Sequence, residues 1–145
     1  MESLLNGKFI VTLNNSNASL TGGWSGARQA RVYTVKCNET NKHCYVTVYG
    51  GSMATIDEKD ALYCLLSDAV DYINARHYES ISEYLVEEFG YDEYAEDVYG
   101  RLRKNPELTR LEKGLTNQYK KAFNIIGDDN KIIDLLDEFR EEYDY

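Results

Sequence analysis

The chain changes character once, at Gly50-Gly51, and that change limits the folds open to it. Before it, apolar residues alternate; after it, they recur at three- and four-residue spacing. Charge divides at the same place. Residues 1–50 hold five Lys/Arg and two Asp/Glu, whereas residues 51–145 hold eleven Lys/Arg and twenty-three Asp/Glu. From Glu79 to Asp97 there are eight carboxylates and no Lys or Arg. Like charges so concentrated repel one another and weaken a compact state, so the fold itself does not call for them. The run reads first as a surface for a partner.

The first half predicts a small antiparallel sheet. Lys8 to Leu13 places Phe9, Val11 and Leu13 on one face. Arg31 to Cys37 and His43 to Tyr49 are rich in β-branched and aromatic residues, and the turn between them makes a hairpin. If Glu39 to Lys42 form its loop, Cys37 and Cys44 lie side by side. Asn14 to Gly26, rich in Asn, Ser and Gly, reads as a loop. Its Trp24 is either a contact residue or a ring folded back over the sheet. Three such strands need cover on their apolar face.

The second half supplies that cover as about five helices. Thr55 with Glu58 fits a capping box before the stripe Ile56, Leu62, Leu65, Leu66, Ala69, Val70 and Ile73. Ser80 with Glu83 fits another, with Ile81, Leu85 and Phe89 inward and Gly90 at the end. A third helix is expected from about Asp92 to Asn105. Pro106 suits the first turn of a fourth, capped by Asn105 and closed by Gly127. Asp128 or Asp129 caps the last. The expected architecture is α+β in one domain, residues 1–145, with a β part to residue 51 and an acidic helical part after it.

Composition excludes several functions. A net charge of −9 opposes direct contact with nucleic-acid phosphate or an anionic membrane. No apolar run approaches the ~18 residues that span a bilayer. The start, Met1 to Asn6, lacks a basic and then apolar leader, which points to the cytosol and to three reduced Cys thiols. The three Asn-x-Ser/Thr triplets, at Asn14, Asn17 and Asn38, are then chance matches. His43 and Cys44 near Cys37 match no common zinc spacing unless Cys64 or His77 joins them. A Cys-His nucleophile lacks an orienting third group. Gly50-Gly51-Ser52 lacks the Gly-Lys-Ser/Thr of a phosphate loop. No cofactor, metal set or catalytic constellation is expected.

One stretch resembles a known family. Asp60-Ala61-Leu62-Tyr63-Cys64-Leu65-Leu66-Ser67-Asp68-Ala69, then Tyr72-Ile73-Asn74-Ala75-Arg76-His77-Tyr78-Glu79, then Glu88-Phe89-Gly90-Tyr91-Asp92 follow a shared pattern. That pattern, D-x-L-x-C-L-x-S-D-A followed by Y-x-N-A and E-[FY]-G-Y-D, is similar to one in short uncharacterised proteins of phages, prophages and other mobile elements. The resemblance covers about residues 45–105. It departs after Asp92, where the family carries a Ser- and Arg-containing stretch and a longer spacing to the next Tyr. It implies phage biology and carries no catalytic residue. Small acidic phage proteins often inhibit host defence, CRISPR effectors included, by association.

The acidic run has a definite expected geometry. On one helix, Glu79, Glu83 and Glu87 form a row with neighbours roughly 5–6 Å apart. With Glu88, Asp92, Glu93, Glu96 and Asp97 the row presents carboxylates as a phosphate ladder does. Tyr84, Tyr91 and Tyr94 are the expected apolar anchors. The competing reading is a solvated helix face. The tail, Asp128 to Tyr145, holds eight acids and reads as a frayed terminus or a partner arm bearing Tyr143 and Tyr145.

These features point to a non-enzymatic inhibitor of a host defence nuclease, occupying that nuclease's basic groove. The alternatives are a phage structural or replication accessory forming a homo-oligomer, and a sponge for a nucleotide signal held by Arg28, Arg31 and Arg76. A homodimer pairing the more basic sheet with the acidic helices is also open.

Overall fold

The computed structural model describes residues 1–21, 27–50 and 56–145, with side chains for 1–14, 30–49 and 56–145. Trp24, the Arg28 side chain, Gly51-Ser52 and Thr55 lie outside the described residues. The element order is β1 (Glu2–Leu4), β2 (Phe9–Thr21), β3 (Ala27–Cys37), β4 (Lys42–Gly50), α1 (Glu58–Ala75), α2 (Ile81–Phe89), β5 (Tyr94–Glu96), β6 (Leu102–Lys104), α3 (Pro106–Ile126) and α4 (Asp129–Tyr143). The α+β class is as expected.

The sheet has four antiparallel strands in the order β1-β2-β3-β4, not three. The short β1 pairs Leu4 with Phe9 across a turn in which Leu5 and Asn6 both have positive φ, 54° and 56°. Leu5 offsets that strained conformation by full burial and by donating its N–H to the Tyr143 hydroxyl at 2.8 Å. The expected loop from Asn14 is instead paired as far as Thr21, opposite Ala27. Ladder bonds come from the backbone, so a run of Asn and Ser can pair. The register shifts at Leu13/Asn15 and Asn15/Ala18 absorb the misfit.

The β3–β4 turn sits one residue earlier than expected. Cys37 pairs with Lys42 and Cys44 with Val35, so the two Cys are not opposite one another. Asn41 supplies the left-handed residue, with φ 63°.

Helices α1, α3 and α4 cover the face bearing Phe9, Val11, Tyr33, Val35, Cys37, Cys44, Val46 and Val48. Helix α1 begins at Asp57 rather than Thr55. The Asp57 carboxylate accepts from Asp60 N at 3.1 Å, and the Asp60 carboxylate accepts from Asp57 N at 2.9 Å. Its residues Leu62, Leu65 and Leu66 are fully buried against the sheet, with Ile125 of α3 and Ile132 and Phe139 of α4 in the same cluster.

A second, smaller cluster forms beyond it. Ala75 at the end of α1, Tyr84 and Leu85 of α2, and Leu108 and Leu115 of α3 bury one another. Between α2 and α3 the expected third helix does not form. Residues Tyr94 to Lys104 are a two-stranded hairpin, β5–β6. A β-turn from Asp97 to Gly100, with Gly100 at φ 75°, interrupts any helix there. The chain therefore has four helices and two sheets among the described residues.

The two clusters predict unequal local stability, because a small cluster opens at lower free energy than a large one. Leu85→Ala is expected to speed amide exchange from Ser80 to Lys104 while leaving β3 protected. Leu65→Ala in the main cluster is expected to cost about 2–5 kcal/mol in global urea unfolding.

Candidate acidic groove

The site is built by α2, the β5–β6 hairpin and the start of α3, of which the two helices share the second cluster. Ser80 caps α2, its Oγ accepting from Glu83 N at 3.0 Å, and Gly90 closes it at φ 74°. Glu79 precedes the cap and lies off the helix. The expected row of three therefore becomes a helical pair, Glu83 and Glu87. Glu83 turns back instead, its carboxylate accepting the Glu79 N–H at 3.0 Å. Asn105 then ties the hairpin to α3: its Nδ2 donates to Asp92 O at 2.9 Å, its N–H to Glu93 O at 3.0 Å, and its Oδ1 accepts from Glu107 N at 3.1 Å.

Between these elements lies a cavity of about 700 Å³, walled by Glu79, Glu83 and Glu87 on one side and by Glu93, Tyr94 and Lys104 on the other. Val86 gives it an apolar floor, with Leu108 sealed beneath. Four of the eight expected carboxylates thus converge. Glu88, Asp92 and Glu96 are exposed but do not line the groove; Glu88 accepts a hydrogen bond from the Tyr78 hydroxyl. Among the described residues, none of these seven acids has a Lys or Arg within ion-pair distance.

Asp97 is the exception, and here the expectation is corrected. Its carboxylate accepts from Tyr99 N (2.9 Å), Arg101 N (3.0 Å), Arg101 Nε (3.0 Å) and Arg103 Nε (3.1 Å). The Arg101 backbone N–H leads the groups holding it below its ordinary carboxylate value, with Tyr99 N–H and the two guanidinium groups behind. Asp97 organises the hairpin turn and is not free to meet a partner's cation.

The tyrosine anchors are corrected too. Tyr84 is 6% exposed and donates to Asp71 Oδ1 at 3.1 Å, so it belongs to the second cluster. Tyr91 is half-buried against the same cluster. Of the three, only Tyr94, 54% exposed, stands at the surface. Both misplacements have one cause: a period-3.6 reading put the whole stretch on helices, whereas α2 buries its aromatic face and the chain then turns into a hairpin.

The other candidates dissolve into the fold. The tail is docked: Tyr145 lies with its ring 4.8 Å from that of Tyr63 and donates its hydroxyl to Asp60 at 3.0 Å. Arg31 bonds Ile56 O near the start of α1, while Arg76 at its far end pairs with Asp129 at 2.5 Å and stacks on Tyr119. Those two cations sit at opposite ends of an 18-residue helix, about 27 Å long, and do not converge on one nucleotide. Cys37 and Cys44 face the core, whereas His43 is exposed on the opposite face. Burial pushes the Cys44 and Cys64 thiols up to about 11, away from thiolate reactivity.

Sequence reasoning missed Lys104, Val86 and Leu108 in the groove. A signal for the hairpin was present: Asp97-Val98-Tyr99-Gly100 has Asp first and Gly fourth, as a type I turn prefers. No family model matches this chain, and neither a curated protein nor a solved structure does. Among the described residues no helix is long and apolar enough to cross a membrane.

Helix α1 carries Asp68, which burial pushes up to about 6, the Asp71 charge adding to the rise and a Gln118 hydrogen bond opposing it. The folded state thus holds this proton more tightly than the unfolded chain does. Its ionisation opposes folding at neutral pH, and the penalty fades as pH falls from about 6 toward 4. Asp68→Asn is expected to stabilise the protein by about 1–2 kcal/mol at pH 7, with most of the gain gone at pH 4 in paired urea titrations. Asp97→Ala is expected to collapse the dispersed amide NMR shifts of residues 94–104 while those of β3 stay in place.

Proposed function

We propose that this chain acts by binding, as a phage-encoded inhibitor of a host defence nuclease, and that its acidic groove receives basic side chains the nuclease otherwise offers to phosphate. The observation that carries the reading is the convergence of Glu79, Glu83, Glu87 and Glu93 on one concavity without ion-pairing partners among the described residues. Four carboxylates against the single cation Lys104 leave the concavity net negative, and a concave net-negative wall focuses the field and raises the local concentration of cations. The resemblance to short phage proteins, in the stretch from Asp60 to Asp92, supplies the biological setting.

Magnitudes decide how the groove works. Exposed ion pairs are worth about 0–1 kcal/mol each, so the carboxylates alone do not hold a partner. They speed encounter and fix register. The retained affinity comes from apolar contact, for which Val86 and Tyr94 are placed in the groove. An Arg or Lys side chain suits this combination, its stem lying on the floor and its charge meeting the walls.

The test is displacement of nucleic acid. A fluorescein-labelled duplex is bound to candidate nuclease effectors, and the protein is added at rising salt while anisotropy is read. The wild-type chain is expected to release the duplex, with an effect that weakens as salt rises. The triple variant E79K/E87K/E93K changes three exposed acids and leaves the Glu83 cap intact. It is expected to lose at least tenfold in potency, about 1.4 kcal/mol. Equal release by wild type and triple variant removes the groove from the mechanism.

A further inference from the structure

The β5–β6 hairpin carries a concentration of exposed apolar surface, of which only Tyr94 also lines the groove. Tyr94 is 54%, Val98 92%, Tyr99 79% and Leu102 68% exposed, and Phe89 stands nearby at 54%. Exposed single apolar residues are ordinary, but several on one eleven-residue element mark a contact surface. Both strands have only each other as partners among the described residues.

The register gives that surface a pattern. Tyr94 lies opposite Lys104, and Glu96 lies opposite Leu102. Residues directly opposite in an antiparallel pair, and those two apart on one strand, project from the same face. That face is therefore a four-cornered plate. One diagonal joins Tyr94 to Leu102 and is apolar; the other joins Glu96 to Lys104 and carries opposite charges. Asp97, Arg101 and Arg103 close on one another through their own hydrogen bonds and stand outside this plate.

We propose that this plate is a docking surface for a second copy of the chain about a two-fold axis. Rotation by half a turn about the apolar diagonal lays Tyr94 on Tyr94 and Leu102 on Leu102 of the second copy. The same rotation sets Glu96 over the second copy's Lys104 and Lys104 over its Glu96. The pattern is its own complement, which is what an isologous interface requires. An acidic or a basic partner of another kind would meet one like charge on this plate. Pairing through the β6 edges is disfavoured, since it brings Arg101, Arg103 and Lys104 of one copy beside the same cations of the other. A plate of four residues and its rim is smaller than the about 1,200 Å² that stable interfaces bury. The dimer is accordingly weak and dependent on concentration.

The test is sedimentation velocity on the full chain over a rising concentration series, with far-ultraviolet circular dichroism confirming each variant's fold. The wild-type sedimentation coefficient is expected to rise with concentration. E96K and K104E are each expected to stay monomeric, because each sets like charges face to face. Two restorations are expected: the double variant E96K/K104E, whose diagonal is reversed but still self-complementary, and a one-to-one mixture of the two single variants. A wild-type chain that stays monomeric throughout overturns the proposal, and so does a single variant that associates as the wild type does. Tyr94 and Lys104 belong to both plate and groove, so the sedimentation series is run without nuclease or nucleic acid, and its outcome does not depend on the proposed inhibition.

Discussion

The candidate groove depends on α1 and α3 each contributing to two separate hydrophobic clusters. At 18 and 21 residues they span about 27 and 31 Å. One part of each is held by the main core through Leu62, Leu65, Leu66, Ala122 and Ile125. The overhang, with Ala75 on α1 and Leu108 and Leu115 on α3, has no sheet beneath it and needs another partner. Helix α2 fills that need with Tyr84 and Leu85, and in doing so turns its acidic side outward. The groove is thus a consequence of how the overhang is covered.

The electrostatics follow the same division. Around the main core the charges are matched where elements meet: Lys8 with Glu138, Arg76 with Asp129, Lys131 with Glu39. These pairs join the chain's ends and its middle, although exposed pairs contribute little each. Over the second cluster Lys104 pairs with Glu112, Arg110 with Glu107, and Asp97 shapes a turn, while the four groove acids have no ion pair among the described residues. Mutual repulsion among Glu79, Glu83, Glu87 and Glu93 is tolerated because all four lie at the surface, where water screens them. Apart from the hydrogen bond Glu83 accepts from the Glu79 N–H, these carboxylates make no ion pair that offsets the repulsion, and this is the physical case for a cationic occupant.

Much of the fold was legible in the sequence. Gly90, Asn105-Pro106 and Gly127 punctuate the helices where their chemistry requires, and the stripe from Leu62 to Ala69 faces inward as its spacing implies. Legibility failed where local and long-range signals disagree. Asn15 to Thr21 have the composition of a loop, yet pair with β3 because the ladder is made by backbone groups. Glu93 to Lys104 have helix-compatible residues, yet four hydrogen bonds to one carboxylate favour a hairpin. The short β1 gave no periodic signal at three residues.

By itself, the sequence determined the α+β class, the order of sheet before helices, most helix ends, and the segregation of negative charge into the second half. These are local or compositional properties, set by side-chain spacing and capping chemistry within a few residues. Only the tertiary structure decided which acids share a concavity, which tyrosines are sealed in the second cluster, and that the hairpin presents a balanced plate. Those outcomes depend on where α2, β5–β6 and α3 meet. That meeting is set by burial of Tyr84, Leu85, Leu108 and Leu115, residues far apart in the chain whose packing no short window contains.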